Sequence, residues 1–377
     1  MKVVFLSNYF THHQMPFSTA MYERLGEDYL FIETSEMTED RKSLGWEMND
    51  IPDYVVSASE YESNKEKIAN TINNADVVIF GSAPLRLIQN RLNQKKLTFK
   101  YSERVYKKPL KWYEWPLRLP LYFYRYGRHK SLYLLCASAY TASDYAKTFT
   151  FINKAYKWGY FPETKKYDDI DELISKKKKN SIMWCGRFID LKHPEYALEL
   201  AKKLKENGYS FELNMIGNGE LEDEIKNKIS EYQLEDYVKL HGAMKPDEVR
   251  EYMEQSEIFI FTSNKQEGWG AVLNESMNSA CAVVANNAIG ASPYLINDGV
   301  NGLLYYNDKN SNELVEKVKL LLDNAEKRRE LSKKAYETIA NEWNAENAAD
   351  KLIILAEKFL RGEKKAKSFS DGVCSNG

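Results

Sequence analysis

EIFIFTSNKQEGWGAVLNES, residues 257–276, is the stretch on which the reading of this chain turns. It opens with EIFIFTS (257–263), an apolar run of strand length. KQEGWGAVLNES (265–276) follows, with two glycines around Trp269 and two carboxylates, Glu267 and Glu275, eight residues apart. A buried strand that exits through an acid and Gly-Trp-Gly into a helix is one unit of an α/β sheet. In such sheets ligands bind beyond the carboxyl ends of the strands. Gly268 and Gly270 allow close backbone approach, and free N–H groups at a helix start near Gly270 favour an anion.

A carboxylate accepts two hydrogen bonds, so Glu267 in the loop and Glu275 on the helix each suit a vicinal diol. A ligand with a diol at both ends and phosphate between them is a nucleotide sugar. Taken by itself, Glu275 reads as a solvent-exposed helix residue. A second feature changes that reading. In CGRFIDLKHPE (185–195), Arg187 and Lys192 both follow the end of a strand. One such cation is an ordinary surface charge, whereas two in the partner loop of the same sheet fit a diphosphate.

Working outward, strand-length apolar runs alternate with helical periods throughout, which predicts parallel, doubly wound sheets. The first half has strand candidates at Val3–Ser7, Tyr29–Glu33, Val77–Phe80 and Tyr133–Ala137, with helices near 15–25 and 61–73. PETKKYDDIDELISKKKKN (162–180) has eleven charged residues among nineteen and reads as a solvated linker. The alternation then restarts with SIMWCG (181–186), FELNMIG (211–217), YVKLHG (237–242) and EIFIFTS, with a helix near 246–255 before the last. The expected organisation is a Rossmann-like domain over 1–165, a charged linker over 166–180 and a second Rossmann-like domain over 181–342, the two facing a central cleft. A carboxyl-terminal helix over 343–361 would pack back on the first domain, and the polar tail 362–377 would be disordered.

Of the 377 residues, 43% are hydrophobic and 29% charged, an ordinary soluble composition. The net charge of −2 implies no nucleic-acid partner. Cys136, Cys185, Cys281 and Cys374 are far apart, with no metal-ligand spacing, and read as reduced thiols of a cytoplasmic protein. No apolar run reaches membrane-spanning length, and MKVVFLSNYF reads as a first strand rather than a signal peptide.

Gly186-Arg187 with Lys192, Glu267-Gly268-Trp269-Gly270 with Glu275, and DGVNGLLY (298–305) resemble the donor domain of retaining glycosyltransferases of family 4. These have the GT-B fold, an α/β architecture of two Rossmann-like domains. The resemblance covers about 180–345. It implies that Arg187 and Lys192 bind the donor diphosphate and neutralise it as it leaves. Glu267 would hold hydroxyls of the transferred sugar and Glu275 the ribose diol, with the amides of Gly268, Trp269 and Gly270 along sugar and phosphates. The nucleotide sugar, UDP-linked by expectation, is then a substrate, and neither metal nor cofactor is required.

Two features depart from the family pattern. NYFTHHQMPFS (8–18) lacks the glycine-rich loop many members carry after their first strand, and Tyr294 stands where a Glu often follows. In the first domain His13 is a candidate catalytic residue, or else a packing or capping histidine. Glu103, in YSER (101–104), is a candidate acceptor contact. His193 and His241 read as structural.

Residues 91–130 carry twelve Lys/Arg against Glu103 and Glu114, with ten aromatics among them. This is a solvated basic face with a core of aromatics, a surface that stacks bases between aromatics and cations, or, the favoured reading, an interfacial composition suited to anionic membranes. The expected protein is a peripheral enzyme on the inner face of the membrane. It would transfer a hexose-type sugar to a glycan or lipid-linked saccharide in surface polysaccharide synthesis. An epimerase of the same fold and a non-catalytic nucleotide-sugar-binding partner are the alternatives.

Overall fold

The computed structural model describes residues 1–39, 48, 50–108, 111–306, 310–363 and 369–377. The chain divides into two compact units, one of Met1–Glu163 with Asn344–Gly377, the other of Thr164–Trp343.

The first unit is built on a parallel sheet. Its strands are β1 (Val3–Ser7), β2 (Tyr29–Glu33), β3 (Val55–Val56), β4 (Val77–Phe80), β5 (Thr98–Ser102), β6 (Leu132–Cys136) and β7 (Ala155–Lys157). Their order is β3-β2-β1-β4-β5-β6-β7. The second unit repeats the plan with β8 (Lys178–Cys185), β9 (Glu212–Ile216), β10 (Val238–Leu240), β11 (Ser256–Phe261), β12 (Ala282–Asn286) and β13 (Leu303–Tyr305), ordered β10-β9-β8-β11-β12-β13. All registered strand pairs are parallel. β1 and β12 are buried along their whole lengths, as covering both faces of a parallel sheet demands. The expected α/β architecture of two Rossmann-like units is therefore present. Strand order reverses between β1 and β4 in the first unit and between β8 and β11 in the second. These are the topological switch points at which open α/β sheets bind ligands.

The linker expected over 166–180 is not one. A helix occupies Ile170–Ser175 and β8 begins at Lys178. Lys177 is buried, its ammonium donating to the carbonyls of Met253, Glu254, Ser256 and Ser279 at 2.8–3.1 Å. A run of four lysines reads as solvated, yet a buried ammonium is tolerated when backbone oxygens replace its water.

The tail also differs. Residues 364–368 lie outside the described residues, but Val373, Cys374 and Ser375 are buried against the edge strand β7. Lys157 N–H donates to Ser375 C=O at 2.8 Å and Cys374 N–H to Lys157 C=O at 2.9 Å. Strand-edge pairing, which leaves little trace in composition, orders this polar end. The last long helix, Ala345–Leu360, sits in the first unit, where Asp350 pairs with Arg24 and Phe359 stacks on Tyr133.

Residues 91–130 are not one surface either. β5 runs through them. Arg91 is fully buried and donates to the carbonyls of Ile72, Ala75, Asp76 and Leu97. Lys100 lies between the rings of Phe80 and Tyr126, where burial pushes its ammonium down to about 8. Two of the twelve cations are thus structural, which the sequence hides because their partners are backbone carbonyls and rings distant along the chain.

Candidate functional site

β8 delivers Arg187 and Lys192 to the switch point of the second unit, and the loop that carries them is held by backbone. Phe188 N–H donates to Asn218 C=O at 2.8 Å. At Gly217, φ is +132° and a Cβ would stand 1.9 Å from the Gly186 carbonyl oxygen, so only glycine fits. Arg187 itself is exposed. The Lys192 carbonyl accepts from Thr262 Oγ1 at 2.6 Å, and Thr262 in turn accepts from buried Trp184 Nε1 at 2.8 Å.

The loop after β11 meets this one through a contact the sequence did not disclose. His193 adopts a left-handed conformation (φ 48°), placing its ring between Glu195, 2.6 Å from Nδ1, and the Asn264 amide, 3.0 Å from Nε2. Asn264 N–H donates to Leu191 C=O, and its own carbonyl accepts from Glu267 N–H at 3.0 Å. The two loops are locked together, and their key side chains meet: Lys192 Nζ donates to Glu267 Oε2, both groups mostly shielded from solvent. The Lys192 ammonium also lies 5.6 Å from the centre of the Phe261 ring. Gly270 (φ +90°) passes that same ring so closely that a Cβ would fall 2.5 Å from it.

Trp269 is buried, donating from Nε1 to Asn274 Oδ1 at 2.9 Å and packing near Tyr294 and Trp343. Its ring anchors the loop in the core, and Tyr294, stacked on Trp343, belongs to the same aromatic wall. Glu275 lies on the helix Val272–Asn278. Burial pushes its carboxyl above the ordinary range, opposed by the Arg250 guanidinium. Cys185, at the end of β8, is pushed up to about 12 by burial and then by Glu275, with Lys192 opposing.

In the first unit the loop after β1 carries His13. Burial, reinforced by His12, pushes its imidazole down to about 3, so the ring is neutral at ordinary pH. It lies parallel to the Tyr160 ring at 6.3 Å. Tyr160 donates its hydroxyl to Glu103 Oε1 at 2.6 Å, and Lys107 Nζ donates to Glu103 Oε2 at 2.9 Å. The two residues singled out in this half, His13 and Glu103, therefore flank one tyrosine that sequence reasoning missed. Nothing in GYFPE announces Tyr160. His193 reads as structural from the sequence, and in the structure its ring ties the two loops together. His241 faces the Asn214 side chain at 2.7 Å. Among the described residues no group of three or more His, Cys, Asp or Glu is disposed to hold a metal ion. None of the described helices is long and apolar enough to cross a membrane.

Residues 165–338 match the family model "Glycosyl transferases group 1". The amylovoran biosynthesis glycosyltransferase AmsK of Erwinia amylovora is 34% identical over 128 residues, 33% of this chain and 31% of that protein. A Campylobacter jejuni enzyme is 31% identical over 158 residues, 42% of this chain and 41% of the relative. It is named N-acetylgalactosamine-N,N'-diacetylbacillosaminyl-diphospho-undecaprenol 4-alpha-N-acetylgalactosaminyltransferase. The matches thus span less than half of either relative's length. HepE from Anabaena, solved in complex with UDP, superposes over 95% of this chain and 100% of its own with a TM-score of 0.69 at 13% identity, a likeness of fold. The paired loops lie inside the matched region, so residues 165–338 carry the likeness to Glycosyl transferases group 1, while the likeness to HepE is one of fold over the whole chain.

Proposed function

We propose that the chain is a retaining hexosyltransferase that moves a sugar from a nucleotide diphosphate donor to a glycan or lipid-linked saccharide. The observation that carries this reading is the Lys192–Glu267 pair, held across two locked loops at the switch point of the second unit. Arg187 and Lys192 are the cations for the diphosphate, stabilising the charge that develops as it departs. Glu267 accepts from hydroxyls of the transferred sugar and Glu275 from the ribose diol, while the amides of Gly268, Trp269 and Gly270 lie along the donor. The acceptor oxygen attacks the anomeric carbon on the face from which the phosphate leaves. The bond from that carbon to the phosphate oxygen breaks, and the acceptor proton passes to the departing phosphate. Glu103 and His13, with Tyr160 between them, contact the acceptor; His13, being neutral, acts as a hydrogen-bonding group and not as a fixed cation.

UDP is the favoured donor nucleotide, supported by the likeness in fold to a protein bound to UDP. A surface polysaccharide or undecaprenol-linked acceptor is supported by the names of the relatives. Such an acceptor fits peripheral association with an anionic membrane on the cytoplasmic side through residues 91–130. Arg91 and Lys100 are excluded from that surface by their burial. The transfer is metal-independent, its electrostatic work being done by Arg187, Lys192 and backbone amides.

A thermal-shift panel of nucleotides and nucleotide sugars, run in excess chelator, tests the reading. A ligand at 100 times its Kd adds about 2.7 kcal/mol. A uridine diphosphate sugar should stabilise the protein, and labelled sugar should then appear on a lipid-linked or glycan acceptor. Stabilisation by no nucleotide sugar, or only when magnesium or manganese is restored, would overturn it. Turnover of donor without acceptor would favour the epimerase.

A further inference from the structure

The loop that follows the helix Thr141–Ala146 lies outside the basic aromatic segment, yet it exposes large apolar groups beside it. Phe149 is 74% exposed and Ile152 53% exposed. Neither is the floppy end of a loop. Phe149, Phe151 and Asn153 all have positive φ, at 55°, 56° and 57°. For side chains other than glycine this conformation is strained, because Cβ crowds the following carbonyl oxygen. It persists only where the surroundings over-determine it. Here they do. Thr148 and Thr150 are buried, and both hydroxyls donate to the Tyr145 carbonyl, at 2.8 and 3.0 Å. Phe151 turns inward against Tyr145 and Tyr126, with ring centres at 5.1 and 5.8 Å. The pinned residues turn inward and, by the same backbone twist, Phe149 and Ile152 are turned out.

The inward anchors tie this loop to the helical run Trp115–Gly127. Tyr126 belongs to that run, and a Cβ on Gly127 would lie 2.8 Å from Phe123 and 3.4 Å from Thr150. The outer side of the run is itself apolar and exposed at Leu117, Leu121, Phe123 and Tyr124. Arg125, Arg128 and Lys130 are exposed in the same stretch, with Arg128 stacked 3.8 Å over the Tyr124 ring. Apolar side chains among aromatics and cations complement an anionic lipid surface: the rings enter at headgroup depth while the cations meet the phosphates. An exposed phenylalanine held out by strained, well-anchored backbone matches a surface that is covered in use.

We infer that the Phe149–Ile152 loop is a second membrane-inserting element, working beside the helical run Trp115–Gly127 on an anionic bilayer. The inference rests on the membrane association proposed above. It adds to it a wedge that the charge pattern of 91–130 does not contain.

The test is co-sedimentation of the full chain with vesicles of phosphatidylcholine and phosphatidylglycerol at low and high salt. Phe149→Gly combined with Ile152→Ser removes both side chains, and glycine relieves the left-handed backbone, so thermal stability should be kept. The bound fraction should fall in a partition coefficient about tenfold or more, the loss expected from two apolar side chains left in water. The loss should persist at high salt, because screening acts only on charges and the lost contribution is apolar. Phe149→Leu should bind as wild type does. Equal binding by the double variant and wild type, with Leu117→Ser and Leu121→Ser together abolishing it, would overturn the wedge and leave the membrane association standing. Wild-type protein that ignores these vesicles at low salt would overturn both.

Discussion

The two units solve one problem with opposite chemistry. Each carries a candidate side chain in the loop after a switch-point strand, His13 after β1 and Lys192 after β8. In the second unit those groups are charged: an exposed guanidinium, a lysine paired with a glutamate, and a second glutamate raised by burial. In the first unit the core of the cluster is aromatic and neutral, a histidine with its proton driven off by burial beside a tyrosine bonded to one carboxylate. Opposed charges suit a ligand that carries and sheds charge, as a nucleotide diphosphate does. The first cluster holds its charge in the Glu103–Lys107 pair and sets neutral rings beside it, which suits an uncharged hydroxyl. The difference teaches that fold position alone assigns neither role, since the sheets are alike and only the loop chemistry separates them.

The comparison breaks most readily at Lys192. Lys192→Ala removes the cation meant for the leaving group and leaves Glu267 without its partner in a shielded site. Truncating the cation's side of its desolvated pair with the departing diphosphate costs about 2–5 kcal/mol, which is roughly a 30- to several-thousandfold loss in kcat/KM. Thermal stability should change far less than activity. A purified, folded variant with full activity would sink the charged role of the second unit.

Why this half was legible and the other less so follows from how the side chains are used. Glu267, Gly270 and Lys192 lie within strand–loop–helix units, so spacing in sequence reports spacing in the structure. The strands β1, β2 and β4 were also readable, because burial on both faces leaves an unbroken apolar run. β5 was not, since THR-PHE-LYS-TYR-SER at its core places Lys100 where composition suggests a surface. Tyr160 and His193 act through partners 57 and 71 residues away, Glu103 and Asn264. No local pattern encodes such contacts. Arg91 and Lys177 mislead in the same way: their charge is answered by carbonyls that sequence does not display.

A smaller effect sharpens the assignment within the charged unit. Glu275→Gln should weaken binding of the bare nucleotide, because its carboxylate is assigned to the ribose. Glu267→Gln should bind the nucleotide nearly as wild type and lose turnover with the complete donor. Hydrogen bonds to charged groups contribute about 1.5–3 kcal/mol, so each defect should be about 10- to 150-fold in its own parameter. Calorimetry that found both variants equally impaired for the bare nucleotide would erase the distinction between sugar end and ribose end.

The smallest effect probes the neutral unit, through acid stability. His13 titrates near 3 in the folded chain, against an ordinary value of 6.5, because burial and then His12 disfavour its charged form. Between those values the unfolded chain holds a proton that the folded chain does not, so stability rises with pH. The contribution is complete above about pH 6.5 and is lost as pH falls toward about 3. Its slope is at most about 1.4 kcal/mol per pH unit, and partial exposure of the ring makes it smaller. His12 is lowered by burial too and adds in the same direction, whereas Glu33, raised by burial, acts in the opposite one. The readout is therefore a difference: urea unfolding of wild type and His13→Gln at several pH values from about 4.5 to 6.5. The wild type should lose more stability on acidification than the variant. Parallel curves would mean that His13 takes up its proton without penalty, as a ring open to solvent does. The first unit would then present a titratable cation at its switch point, and the contrast with the charged loops of the second unit would largely close.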